Sequence, residues 1–243
     1  MGEKDIYMDL NLHRFKPSKF LLVEIFKVAI PTTLDKIVLS VFVICINAMI
    51  MMVATVTEVA AYTVTMSIID FAMIPMLGLG NALLIVSGAS YGARNYEKME
   101  ISLLYSLKLG FLVSIIFAVL LFVFAPQISL LFSYTAKNTG LSSQITEILR
   151  IMIFFLIFVP LGVSGNSMFQ CVGRATNALV IAFIRTFVAS VILAYLLGIV
   201  FGLGYNGIYL GIIIGNLLGS MFGFTWAKLF IKDCKVRWGS EIK

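Results

Sequence analysis

The most restrictive feature of the sequence is a set of six long apolar stretches with few charges. They fall at Val28–Val53, Val59–Ser87, Leu103–Ala125, Ile151–Cys171, Ala178–Phe201 and Gly207–Phe230. An α-helix needs about 20 mostly apolar residues to cross the hydrocarbon core of a bilayer. No charged residue lies between Arg185 and Lys228, a run too long for one crossing. It breaks at Gly202-Leu203-Gly204-Tyr205-Asn206-Gly207, a turn by composition. The stretches are rich in Leu, Ile, Phe and Val without strict alternation, which favours helices over a barrel.

Composition agrees. Of 243 residues, 60% are hydrophobic and 12% charged. An ordinary soluble domain is about 45–50% apolar and about 25% charged. A globule of this size has too little interior to hide so much apolar surface. Lipid is therefore the solvent for most of the chain. A soluble enzyme, a disordered chain and a disulfide scaffold are excluded. Cys45, Cys171 and Cys234 lie far apart with no metal-ligand spacing, so no metal site is expected. His13 is the single histidine, which excludes any scheme that needs two.

The net charge is +6. The Lys and Arg residues sit at segment ends, so the positive-inside rule explains them and no nucleic-acid partner is implied. The N-terminus, the loops after the second and fourth spans and the C-terminus hold most of them. The opposite side holds only Lys137 and Arg150. Both termini are expected to be cytoplasmic, in a multi-pass protein of the plasma membrane. Residues 1–20 are charged throughout and carry no cleavable signal. The expected division is a cytoplasmic segment 1–20, a six-helix transmembrane lobe 21–231 and a basic cytoplasmic tail 232–243. Ser18–Lys27 reads as a short interfacial helix leading into the first span, opened by Pro17 and capped by Ser18. Pro126–Thr146 reads as a polar, mobile external loop.

Several residues break the rules of a lipid-exposed helix. Pro31, Pro75 and Pro160 lie inside spans. Each removes a backbone hydrogen bond, and in a membrane such breaks survive only where protein or a wet cavity satisfies the freed groups. They are hinge candidates for a protein that bends or rocks, or they merely shape packing. Asp35, Lys36, Asp70 and Arg185 lie at hydrocarbon depth, at about 2.5–3.5 kcal/mol each on insertion scales. Asp35, one turn after Pro31, is a cation-coupling candidate, because a kinked helix offers free carbonyls there. Asp70 and Arg185 are secondary candidates, read either as functional charges or as a structural pair. Lys36 can snorkel to the inner interface. Gly207, Gly211, Gly215, Gly219 and Gly223 recur at every fourth position, a ridge that admits a close neighbouring helix.

Enzyme motifs occur by letter and fail by context. Gly88-Ala89-Ser90-Tyr91-Gly92 fits a nucleophile elbow but lacks the strand-to-helix setting. Gly162-Val163-Ser164-Gly165 fits the serine motif of rhomboid-type intramembrane proteases. A serine nucleophile needs a base within reach, and His13 precedes the first span. Gly202-x-Gly204-x-x-Gly207 lacks the βαβ unit of a dinucleotide site. No catalytic residue and no cofactor is expected, and moving a solute is favoured over transforming one.

The motifs point to a family. Ile30-Pro31-Thr32-Thr33-Leu34-Asp35 resembles the start of helix seven in multidrug and toxic compound extrusion (MATE) transporters. There a proline is followed four residues later by an acidic or amide residue. The run from Pro75 through Gly78, Gly80 and Ala82 to Gly88-Ala89-Ser90-Tyr91-Gly92-Ala93 resembles the family signature at helix eight, with Ala89 in place of the usual glutamine. Phe169 to Arg174, Arg185 with Ala194-Tyr195-Leu196-Leu197, and Gly202 to Gly207 follow in the family's order. The resemblance covers residues 20–230.

The resemblance implies the C-terminal half of a twelve-helix, two-lobe transporter, with residues 1–20 similar to the linker between lobes. It implies one lobe of a secondary antiporter that exports drugs or hydrophobic metabolites, with H⁺ or Na⁺ as the coupling ion. Asp35 matches the acidic helix-seven position of sodium-coupled members. Ile151–Cys171 lacks the usual acidic partner on helix ten. The implied partners are the bilayer, a second six-helix lobe (a separate N-terminal half or another copy) and a small hydrophobic or cationic substrate. A start at such a place is expected of a split gene, a truncated frame or a stand-alone half. The alternatives are a lipid-linked oligosaccharide flippase of the same superfamily and an inactive remnant.

Overall fold

The computed structural model describes residues 19–133 and 139–240. Six helices run Lys19–Val53 (α1), Val56–Gly92 (α2), Tyr96–Ser133 (α3), Thr139–Cys171 (α4), Ala175–Val200 (α5) and Gly204–Ser240 (α6). Each contains a run long and apolar enough to cross a membrane. No strand occurs among the described residues.

The helices overrun the expected spans. α3 has 38 residues, or about 57 Å at 1.5 Å per residue, against a hydrocarbon core of about 30 Å. One expectation changes as a result. The described part of Ser18–Lys27 is helical and leads without a break into the first span as the start of α1; Pro17 and Ser18 lie outside the described residues. Pro126–Thr146 is mostly helix, and only 134–138 of it lies outside the description. Pro126 sits inside α3. The hydroxyl of Ser129 donates to the Pro126 carbonyl (2.8 Å) and lies 2.7 Å from the Thr146 hydroxyl on α4. These contacts let polar residues extend both helices past the apolar run. His13, Lys137 and the last three residues also lie outside the described residues.

α2 begins with a capping box. Glu58 accepts from the Thr55 N–H at 3.0 Å and from the Thr55 hydroxyl, satisfying donors that a helix start leaves free. Glu58 also accepts from Gln144 Nε2 of α4 at 2.9 Å, so one carboxylate caps α2 and ties it to a neighbour.

α4 and α6 form the centre. α4 packs on α2, α3 and α6, and α5 packs along α6. α1 leans on α5 and α6 and scarcely meets α2 beyond their shared turn. The apolar core falls into two clusters. The larger joins Ile46, Ile50, Tyr62, Ile69, Leu149, Met152 and Tyr209. The smaller, towards the C-terminal end of α6, joins Leu83, Met99, Leu103, Phe169 and Phe230.

The glycine ridge of α6 fits α5 residue by residue. A Cβ on Gly211 would stand 2.4 Å from Ala194 Cα, one on Gly215 2.4 Å from Ser190 Cα, and one on Gly219 2.4 Å from Arg185 Cα. Gly207 meets Leu197 and Gly223 meets Ile181 in the same way. Successive partners on α5 are thus 197, 194, 190, 185 and 181. The longest step, from Ser190 to Arg185, crosses a π-helical stretch at Ile184–Val191. A π turn takes more residues than an α turn, and this one keeps α5 in step with the ridge. The Ser190 hydroxyl donates to the Arg185 carbonyl five residues back, at 2.9 Å.

Candidate functional site

Arg185 lies where four helices meet. It sits at the start of the π-helical stretch of α5, and its stem packs on the bare Cα of Gly219. Its guanidinium reaches α4: a Cβ on Gly162 would stand 2.4 Å from Arg185 Nη1. The Ser220 hydroxyl of α6 lies 2.8 Å from that same point. Two glycines therefore make room for the cation, one under the stem and one under the head. Any larger residue at either position would collide with it.

Asp35 of α1 lies on a helix that packs against the π-helical stretch carrying Arg185. Both side chains are part-buried. Pro31 precedes Asp35 by one turn within an unbroken α1. The structure therefore sets Arg185 against the helix that carries Pro160, through Gly162, and packs α1, which carries Pro31 and Asp35, along α5.

Asp70 is not part of this group. It does not pair with Arg185; it is exposed on α2. Thr63, Ser67, Phe71, Ile74 and Asn81 are exposed along the same helix. Their spacings of three, four and seven residues place them on one face.

Pro160 faces a small cavity, which Met76, the residue after Pro75, also lines. It is lined by Met76, Leu79, Gly80, Ser106, Gly110, Pro160, Val163 and Ser164. Ser164, the serine of the protease-like motif, lies there at 2% exposure among apolar and hydroxyl groups, without a base to activate it.

The early start of α4 corrects one expectation. α4 does carry an acidic residue, Glu147, but it is exposed and acts on Tyr209. Tyr209 lies ten residues before Gly219 on α6, about 15 Å along the axis from the Arg185 contact. Glu147 is therefore no partner for Asp35. Among the described residues no three His, Cys, Asp or Glu side chains gather to hold a metal ion. No sequence signal marks the π-helical stretch or Ser220, because both depend on which residues of α5 meet α6.

Known proteins resemble this arrangement throughout. The chain matches the family model described as MatE over residues 31–196. A MATE protein solved in complex with MaL6 is 32% identical, with a TM-score of 0.88, over 95% of this chain and 51% of that one. An outward-facing multidrug resistance MATE family transporter of the MOP superfamily is 31% identical, with a TM-score of 0.88, over 96% and 51%. An inward-facing structure of such a transporter is 31% identical, with a TM-score of 0.83, over 97% and 53%. The chain thus spans about half the length of the solved structures it matches. No curated protein matches it. With the fold, the helix order and the family match in agreement, the chain belongs to the MATE family.

Proposed function

We propose that the chain is one lobe of a secondary active antiporter, rather than an enzyme. It exports small hydrophobic or cationic compounds across the plasma membrane and works by rocking against a second six-helix lobe. The observation that carries this reading is the match of nearly the whole chain to half of each solved transporter. Both termini are cytoplasmic on this reading, and residues 21–231 form the lobe. The exposed α2 face with Asp70, Thr63, Ser67 and Asn81 supports placing the second lobe and the substrate path there. A carboxylate at membrane depth belongs against water or protein.

H⁺ is the coupling ion in this proposal, and Asp35 carries it. A hard metal cation needs several oxygen ligands. Among the described residues no three His, Cys, Asp or Glu side chains gather to hold one. A proton needs only the one carboxylate. Pro31, Pro75 and Pro160 act as hinges.

The test uses proteoliposomes holding this chain alone or with a second six-helix lobe of the family. Export of a hydrophobic cationic dye under an imposed pH gradient is expected from the paired lobes. It is expected to vanish in Asp35→Asn at unchanged protein level. Absence of gradient-driven export in both preparations would falsify the transport reading and favour the remnant. Movement of a lipid-linked oligosaccharide in place of the dye would select the flippase.

A further inference from the structure

The last third of α6 carries a face that the bundle does not use. Lys228, Lys232 and Lys235 are exposed. They stand four and then three residues apart, which puts them on one side of the helix. Met221, seven residues before Lys228, continues that side towards the middle of the helix. Phe222 and Leu229, also seven apart, flank it. All three apolar residues are exposed.

Depth follows from the helical rise. About 20 residues fill the hydrocarbon core, and the headgroup layer adds about 5–7 Å on each side. Counted from Gly207, the core ends near Trp226. Met221 and Phe222 then lie against acyl chains, Leu229 at their upper end, Lys228 and Lys232 at headgroup level, and Lys235 at its outer edge.

The three ammonium groups have no carboxylate. Among the described residues they form no salt bridge; Asp233, the acid of this segment, pairs instead with Arg237 at 2.9 Å. Glu97 of α3 accepts from the Tyr96 hydroxyl at 3.5 Å. Lys235 Nζ lies 5.4 Å from the centre of the Tyr96 ring, and Lys228 Nζ 5.6 Å from that of Phe224. The rings attract the ammonium groups but supply no counter-anion. A cationic stripe thus continues directly into an apolar one on a single helix.

We propose that this face of α6 binds an anionic phospholipid, with Lys228 and Lys232 on the phosphate oxygens, Lys235 at the rim of the headgroup, and Met221, Phe222 and Leu229 against the acyl chains. The lysines stand where the lipids that cover the apolar stripe carry their phosphates. A zwitterionic headgroup brings its own cation to the same three lysines and is held less well. The inference does not rest on the transport reading and survives its failure.

The test is native mass spectrometry of the whole chain, released from detergent micelles that hold equimolar phosphatidylglycerol and phosphatidylcholine. The parent is expected to retain phosphatidylglycerol about fivefold more often, the effect of about one lysine beside anionic lipid. Lys228→Gln, Lys232→Gln and Lys235→Gln together should bring the ratio to about one. The three matching Lys→Arg changes keep the charge and should keep the preference, which separates loss of the site from loss of the fold. Arg150→Gln removes an exposed cation nearer the other end of the bundle and should leave the ratio unchanged. Leu229→Asn should weaken retention of phosphatidylglycerol with the lysines intact. Inorganic phosphate at millimolar concentration should not displace the lipid. Displacement by phosphate would assign the lysines to a soluble anion and overturn the lipid site. An equal ratio in the parent overturns it as well, as does a preference that survives the triple Gln variant.

Discussion

α6 and α1 are both long, apolar and sufficient to cross a membrane, yet the bundle treats them differently. Of the most apolar window of α6, 61% of residues are buried; of that of α1, 22% are. α6 presents glycine at every fourth position, so α4 and α5 approach it backbone to backbone. The Gly165 position of α4 would place a Cβ 2.9 Å from the Gly223 backbone. α1 presents Leu34, Ile37, Val41 and Ile44 outward and meets its neighbours along one edge. The lesson is that apolarity does not decide burial in a membrane protein. Lipid is as good a solvent for Leu as another helix is, so close packing goes to the helix whose surface is flat enough to permit it.

The comparison breaks most sharply at Gly215. Gly215→Val would put a side chain 2.4 Å from Ser190 Cα, where backbone must move. A loss of about 3 kcal/mol or more is expected, read as a collapse of the monodisperse fraction after detergent extraction. An unchanged fraction would show that α5 and α6 are not locked by the ridge. Glu58→Ala comes next. It removes the cap of α2 and its tie to Gln144, and about 1–3 kcal/mol should be lost in thermal unfolding. Gln144→Leu should reproduce only part of that loss, since the Thr55 bonds remain. The smallest effect is expected on α1. Val41→Ala, on an exposed face, should change stability by less than about 0.5 kcal/mol. A large loss there would mean that α1 is buried against another surface in the membrane, which would sharpen the case for a second lobe.

The two aspartates draw the same contrast on a smaller scale. Asp35 and Asp70 are each one acidic residue in a long apolar run, and composition treats them alike. Asp35 is part-buried on a helix that packs along α5, whereas Asp70 stands exposed on α2. The sequence reading allowed Arg185 a structural pairing with Asp70. Depth along the helix supported that, but depth carries no information about which way a side chain turns. The exposure of Asp70 depends on how α2 is rotated against α3 and α4.

Much of the architecture was legible because it follows from local rules. Helix number follows from the length of apolar runs, and the α5–α6 turn from the glycines at 202 and 204, both with positive φ. The glycine ridge announced a close helix contact before its partner was known. Helix ends were less legible. A window of apolar residues stops where polar residues begin, but a helix stops only where its backbone loses its partners. The hydroxyls of Ser129 and Thr146 and the carboxylate of Glu58 carry α2, α3 and α4 beyond the apolar run.

The sequence by itself determined that this chain lives in lipid as six helices, since only helices and closed barrels satisfy every backbone group there and its long apolar runs lack the alternation of barrel strands. It also determined that a few charges must be accommodated at depth, because their cost is set by the residue and the solvent alone. Only the tertiary structure decided that the helix of Asp35, not that of Asp70, packs along the stretch that carries Arg185. It also placed Ser220 opposite the guanidinium and put a π-helical stretch beside the glycine ridge. Those outcomes depend on the rotation and register of one helix against another, which arise from contacts between residues far apart in the chain.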